Sequence, residues 1–174
     1  YFQIDESNKA PRRTLEMISE LLRYQLYGGN QKVSILQEID YLKTYIALRK
    51  LRMSERLRLR VEFPPELNEL NIYPLLFLPL VENAFKYVGG DYQLDIIMKW
   101  ENNRISLFIR NSIPELSAED EALRKSVDER QRKGIGLVNL RRRLSLLYPN
   151  KHRLETRKEE TEFVAELMIE IEDI

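Results

Sequence analysis

Leu15, Ile18, Leu22 and Leu26 recur three or four residues apart, the spacing of one face of an α-helix. Pro11 stands just ahead, where a first helical turn tolerates proline, and Gly28-Gly29 ends the run. Ile35, Ile39, Leu42 and Ile46 repeat the spacing, with Ser34 placed as an N-cap and Glu38 close behind it. The pattern predicts two amphipathic helices joined by a glycine turn, a helical hairpin arm or a piece of a bundle. Packing of the second helix on a main domain is the other arrangement it allows.

Leu57, Leu59, Val61 and Phe63 then alternate with polar residues, which predicts a strand ended by Pro64-Pro65. Ile72-Tyr73-Pro74 leads into an apolar run in which Pro79 either kinks a helix or restarts it. Gly89-Gly90 closes that helix. The clearest hairpin signal follows. Leu94, Ile96 and Met98 alternate on one limb, Ile105, Leu107 and Ile109 on the other, around Glu101-Asn102-Asn103. From Ser112 to Lys133 the chain is strongly charged and has no sustained period, so it reads as a long loop with a helical turn near Ala118–Arg124. Leu137, Leu140, Leu144 and Leu147 predict a last helix, with Arg141-Arg142-Arg143 on its outer side and Pro149 as its stop. Two strands, around His152–Arg157 and Phe163–Ile171, complete an α/β pattern.

Composition narrows the function. Lys+Arg and Asp+Glu are both 28 among 174 residues, so the net charge is zero and nothing favours nucleic acid, which needs a basic surface. With 43% hydrophobic and 32% charged residues the chain fits a soluble globular class. The chain has no cysteine and one histidine, His152, which excludes disulfides, thiol chemistry and a histidine-rich metal site. No apolar run approaches the ~20 residues of a membrane span. The basic run from Arg49 to Arg60 reads as a solvated face, with a docking patch as the sharper alternative.

The candidate chemistry lies in Pro79-Leu-Val-Glu-Asn-Ala-Phe-Lys-Tyr87. On a helix, Glu82, Asn83, Lys86 and Tyr87 share one face, because residues three and four apart are neighbours. A carboxylate, an amide and an ammonium make poor core material. They suit a magnesium–phosphate ligand, the oxygens for the hard cation and the ammonium for phosphate. A polar stripe that merely faces water is the plain alternative. Gly134-Ile-Gly136 opens the last helix, where glycine lets the backbone approach an anion and first-turn N–H groups receive it. A simple loop-to-helix turn has the same pattern.

The order of these parts resembles the GHKL ATPase superfamily, and in detail the LytS-like sensor histidine kinases of bacteria. The matching stretches are Leu21-Leu-Arg-Tyr24, Tyr45-Ile-Ala-Leu48, Lys50-Leu-Arg52, Pro74-Leu-Leu76, Pro79-Leu-Val-Glu-Asn-Ala-Phe-Lys86 and Gly134-Ile-Gly-Leu-Val-Asn-Leu-Arg141. The resemblance implies a Bergerat-type α/β sandwich, a mixed sheet covered by helices on one face, over residues 55–174. A helical arm, the tail of the dimerisation hairpin, would occupy residues 4–54. It also implies ATP and Mg²⁺ as ligands. By similarity Asn83 would bind Mg²⁺, Glu82 would orient the attacking group and Lys86 would contact phosphate. Gly134 and Gly136 would let a lid at about 112–133 close, and Tyr87, Asn111, Lys133 and Leu137 would complete the nucleotide's surroundings.

Three departures from the family pattern stand out. Tyr87 occupies a position often held by histidine. Asn111-Ser-Ile-Pro114 replaces the usual Asp-x-Gly-x-Gly, although an asparagine can both accept from the adenine amino group and donate to a ring nitrogen. No histidine precedes His152, so the phosphoacceptor is expected on an upstream segment. The implied whole is a dimeric bacterial inner-membrane sensor, this chain its cytoplasmic portion. Its γ-phosphoryl would pass to the absent histidine and on to a response regulator. The alternatives are a nucleotide-binding-deficient module that pairs helices, and an anti-sigma-factor kinase, against which the Leu-Leu-Arg-Tyr and Tyr-Ile-Ala-Leu helices argue.

Overall fold

A computed structural model describes residues 9–27, 31–65, 67, 70–115 and 135–171. The chain forms two compact units: residues 1–54 with 68–75, and residues 55–67 with 76–174.

The first unit contains α1 (Lys9–Tyr27), β1 (Val33–Ser34) and α2 (Ile35–Lys50). β1 pairs antiparallel with a second two-residue strand at Asn71–Ile72. Ser34 caps α2: its hydroxyl accepts the Leu36 N–H, and the Gln37 side chain accepts the Ser34 N–H at 3.2 Å. The reciprocal partner of this capping box is therefore Gln37, the third helical residue, and not Glu38. Glu38 is turned inward and wholly buried. Ile35, Ile39, Leu42 and Ile46 are buried as their spacing predicts.

α1 differs from expectation. Its apolar stripe points to solvent, with Leu15, Ile18, Leu22 and Leu26 exposed at 51%, 37%, 53% and 80%. The seam with α2 uses the neighbouring face instead. Leu21 is buried there, and Tyr24 stacks on Tyr41 with ring centroids 4.7 Å apart. Aromatic rings with satisfied hydroxyls make a close-packed seam as well as leucines do.

The second unit is built on a five-stranded sheet in the order β2 (Arg58–Glu62), β4 (Gln93–Glu101), β5 (Arg104–Ser112), β7 (Glu162–Glu170), β6 (His152–Lys158), β3 being the Asn71–Ile72 strand. β2 runs parallel to β4 and every other pairing is antiparallel, so the sheet is mixed. The β4–β5 hairpin turns on Asn102 and Asn103, with φ of 51° and 60°. Two successive left-handed residues suit the twist of a two-residue hairpin, and asparagine tolerates that region.

Alternation puts Leu94, Ile96, Met98, Ile105, Leu107, Ile109, Leu154, Leu167 and Ile169 in the core. α3 (Leu78–Tyr87) and α4 (Ile135–Leu147) pack in the same unit; α3 lies against β4 and β5, α4 against β6. α3 buries Leu80, Val81, Ala84 and Phe85, and α4 buries Leu140 and Leu144. Each of these leucine, valine and phenylalanine side chains contributes about 1.5–3 kcal/mol by leaving water. Pro79 sits in the first turn of α3 and does not kink it. The opposite face of the sheet carries ion pairs, Arg110–Asp95 at 2.6 Å and Arg153–Glu155 at 2.7 Å. The fold is α/β, with helices on one face of a mixed sheet. No helix among the described residues is long and apolar enough to cross a membrane.

Candidate functional site

Burial of Leu80, Val81, Ala84 and Phe85 fixes the rotation of α3 and leaves its other face outward. Glu82 and Lys86 are exposed there, Asn83 and Tyr87 half-buried. The Asn83 carboxamide is thus neither sealed in hydrocarbon nor hydrogen-bonded to another described residue. The Lys86 ammonium lies 5.4 Å from the centre of the Tyr87 ring, a cation–π contact that leaves its donors available.

Asn111 is the second component. It lies near the end of β5, in register with the buried Ile105, Leu107 and Ile109, and its exposure is 0%. Its Nδ2 donates to the Ser112 carbonyl at 3.2 Å. Its Oδ1 is buried and has no hydrogen-bond partner among the described residues. An orphaned buried acceptor costs about 1–3 kcal/mol, and native structures rarely keep one without a use.

Ser112 ties these two components together. The Gly89 N–H, just past α3, donates to the Ser112 carbonyl at 3.0 Å, and the Ser112 hydroxyl donates back to the Gly89 carbonyl at 2.7 Å. The same hydroxyl accepts the Gln93 N–H at 2.9 Å. The Lys86–Tyr87 end of α3 is therefore clamped to the end of β5 that carries Asn111. Sequence pattern alone singled out neither Ser112 nor this clamp; the cue is a small hydroxyl residue placed directly after a strand asparagine. Ser112, expected to begin the lid, is the last residue of β5.

Close approach at the clamp requires glycine. A Cβ on Gly89 would lie 2.9 Å from Pro114 Cδ and 3.2 Å from its Cγ, a clash with a ring that cannot rotate away. Gly89→Ala is expected to destabilise the chain by about 1–3 kcal/mol, the usual cost of overpacking. Urea denaturation measures this; an unchanged midpoint would show that the clamp yields freely.

α4 supplies the third component. Gly136 is exposed, with open space where a Cβ would project, and Leu137 is half-buried. Lys133, Gly134 and residues 116–132 lie outside the described residues. α3 and α4 are in contact. The expected outer row of arginines is split: Arg141 donates to the Leu154 carbonyl at 3.0 Å and so fastens α4 to β6. His152 Nδ1 lies 2.7 Å from the Tyr148 carbonyl, so that nitrogen carries the proton and the ring closes the end of α4. Among the described residues no cluster of three or more His, Asp or Glu could hold a metal ion. A cation beside α3 would depend on Asn83 together with oxygens from a ligand and water. That mode suits Mg²⁺, which keeps waters and binds through phosphates.

Residues 1–57 match the family model described as Histidine kinase. The chain is 27% identical over 158 residues to the sensor protein kinase HptS of Staphylococcus aureus, covering 88% of this chain and 30% of that protein. It spans about a third of the length of that relative. Among solved structures, the mycobacterial sensor histidine kinase MprB superposes with a TM-score of 0.52 at 14% identity, over 83% of this chain and 99% of that one. Full-length ShkA, solved in complex with AMPPNP, gives 0.53 at 13% identity over 91% of this chain and 35% of that one. The N-terminal third of the chain thus matches the histidine kinase model, and the chain shares the α/β fold of solved sensor histidine kinases.

Proposed function

We propose that the second unit binds Mg-ATP between the polar face of α3, the end of β5 and the start of α4, and serves as the ATP-binding domain of a LytS-like kinase. The observation that carries this is Asn111: a fully buried side chain with an unused acceptor, clamped to the helix whose outward face presents Asn83 and Lys86. Adenine has the complementary amino donor and ring-nitrogen acceptor. Asn83 would hold Mg²⁺, which when bound neutralises charge on the phosphates. Lys86 would meet a phosphate oxygen, and Glu82 would orient the attacking group. Tyr87, Lys133, Gly134, Gly136 and Leu137 would border the nucleotide, with a lid that follows β5 and runs to about 133. Phosphoryl transfer depends chiefly on such positioning and charge stabilisation.

The phosphoacceptor would be a histidine on an upstream segment, as the family resemblance implies, since the one histidine of this sequence, His152, stands at the start of β6. The phosphoryl group would then pass to a response regulator. The solvent-facing stripe Leu15, Ile18, Leu22 and Leu26 supports pairing of α1 with a second copy in the intact protein. The kinship with sensor kinases supports a place on the cytoplasmic side of a bacterial inner membrane.

Calorimetric titration with a non-hydrolysable ATP analogue tests the nucleotide reading. Binding is expected in Mg²⁺, weakened at least about tenfold by chelation, with no comparable binding of a GTP analogue. No heat at millimolar analogue would overturn the proposal and favour a module that works by helix pairing alone.

A further inference from the structure

The first unit holds a polar connection that neither the nucleotide chemistry nor helix pairing uses. Glu38, on α2, is wholly buried. Its Oε2 accepts from the Tyr24 hydroxyl of α1 at 2.6 Å and from the backbone N–H of Leu75 at 3.0 Å. Burial, and secondly the neighbouring carboxylate, push the Tyr24 phenol above its ordinary value, so it stays protonated and donating. Gln25 adds a further tie, donating to the Tyr41 hydroxyl at 2.8 Å.

Leu75 is a second and independent peculiarity. Its φ is +59°, a region that a bulky side chain enters only under constraint. Leu76 and Phe77 alone separate it from the first residue of α3. The Phe77 carbonyl accepts the first helical amides, Leu80 at 3.1 Å and Val81 at 3.3 Å. A strained turn held by a buried carboxylate thus stands immediately before the helix that carries Asn83.

We propose that Glu38 is a positioning residue: its carboxylate holds the left-handed turn at Leu75 that launches α3, and Tyr24 sets how firmly it holds. α1 thereby acts on the turn at Leu75 through two hydrogen bonds. A movement of α1 that withdraws Tyr24 leaves the carboxylate with fewer donors and loosens its grip on Leu75. The consequence for nucleotide affinity rests on the ATP-binding reading above; the hold on the turn does not.

The test uses the 174-residue chain. Tyr24→Phe is expected to speed amide exchange at Leu75, Leu80 and Val81 about tenfold, the equivalent of one hydrogen bond, while amides of Ile105–Ile109 stay unchanged. Affinity for the ATP analogue falls several-fold. Adding Leu75→Gly, which takes positive φ without strain, restores exchange at Leu80 and Val81 and restores affinity. Loss of core packing alone would not be rescued by removing a side chain elsewhere. Glu38→Ala gives a larger effect of the same kind; where it fails to fold, Tyr24→Phe, which deletes one hydroxyl, decides. Unchanged exchange at these amides, or no rescue by Leu75→Gly, overturns the proposal. A wild-type chain that binds no nucleotide defeats the ATP reading, and the exchange measurements still decide the role of Glu38.

Discussion

Asn83→Ala is expected to weaken binding of Mg-ATP by about 10- to 150-fold, the range for losing one contact to a charged group. Stability should hold or rise slightly. Asn83 is half-buried on the outward face of α3 and its carboxamide hydrogen-bonds to no other described residue, so removing that group breaks no hydrogen bond of the fold. Alanine is also the better helix former, by several tenths of a kcal/mol on the usual scales. A loss of affinity without a loss of stability would separate a ligand-binding role from a structural one. Equal affinity in both proteins would remove Asn83 from the site. Lys86→Ala serves as a companion, since its exposed ammonium has no ion-pair partner among the described residues.

Asn111→Leu carries the second large effect, and it pulls stability and function in opposite directions. The Asn111 Oδ1 is buried without a partner, and an apolar side chain of similar volume removes that unmet demand. Such replacements are nearly neutral or stabilising. The folded chain should therefore keep its stability or gain about 1 kcal/mol. Affinity for an adenine nucleotide should drop by roughly 5- to 100-fold, since the base loses both an acceptor and a donor. Asn111→Asp should do the reverse for the empty protein. It places a carboxylate in a fully buried position, where loss of hydration disfavours the charge. The folded state would then hold its proton more tightly than the unfolded chain does. Stability is full below the unfolded carboxyl's range and declines as pH rises through the folded one. Paired thermal melts and titrations of the two variants distinguish a base-reading side chain from a mere packing defect.

Much of the fold was legible because local rules and tertiary packing agree. The β4–β5 hairpin follows from alternation on both limbs and from two asparagines placed where left-handed residues are needed. The rotation of α3 follows from four apolar positions, which leave Glu82, Asn83, Lys86 and Tyr87 on the other side. α1 shows where periodicity stops informing. An apolar stripe declares that something covers it, not what; here α2 takes the adjacent face and the leucines stay outside. Glu38 was obscured for another reason. At its position it resembles a capping-box residue, whereas its actual partner Leu75 lies 37 residues away, beyond the reach of any local pattern. The two-residue β1–β3 ladder is too short to leave a periodic trace. The Gly89–Ser112 clamp likewise joins residues 23 apart, and only the assembled sheet brings them together.

The central claim is that a divalent ion is held between the Asn83 carboxamide and a bound nucleotide. Paramagnetic broadening by Mn²⁺-ATP, with Mn²⁺ in place of Mg²⁺, tests it directly on the Asn83 side-chain amide resonance. The expected result is selective loss of that resonance and of neighbouring α3 signals at substoichiometric Mn²⁺, only when nucleotide is present. Persistence of the Asn83 resonance, with broadening centred on the opposite face of the sheet around Phe108 and Met168, would contradict it.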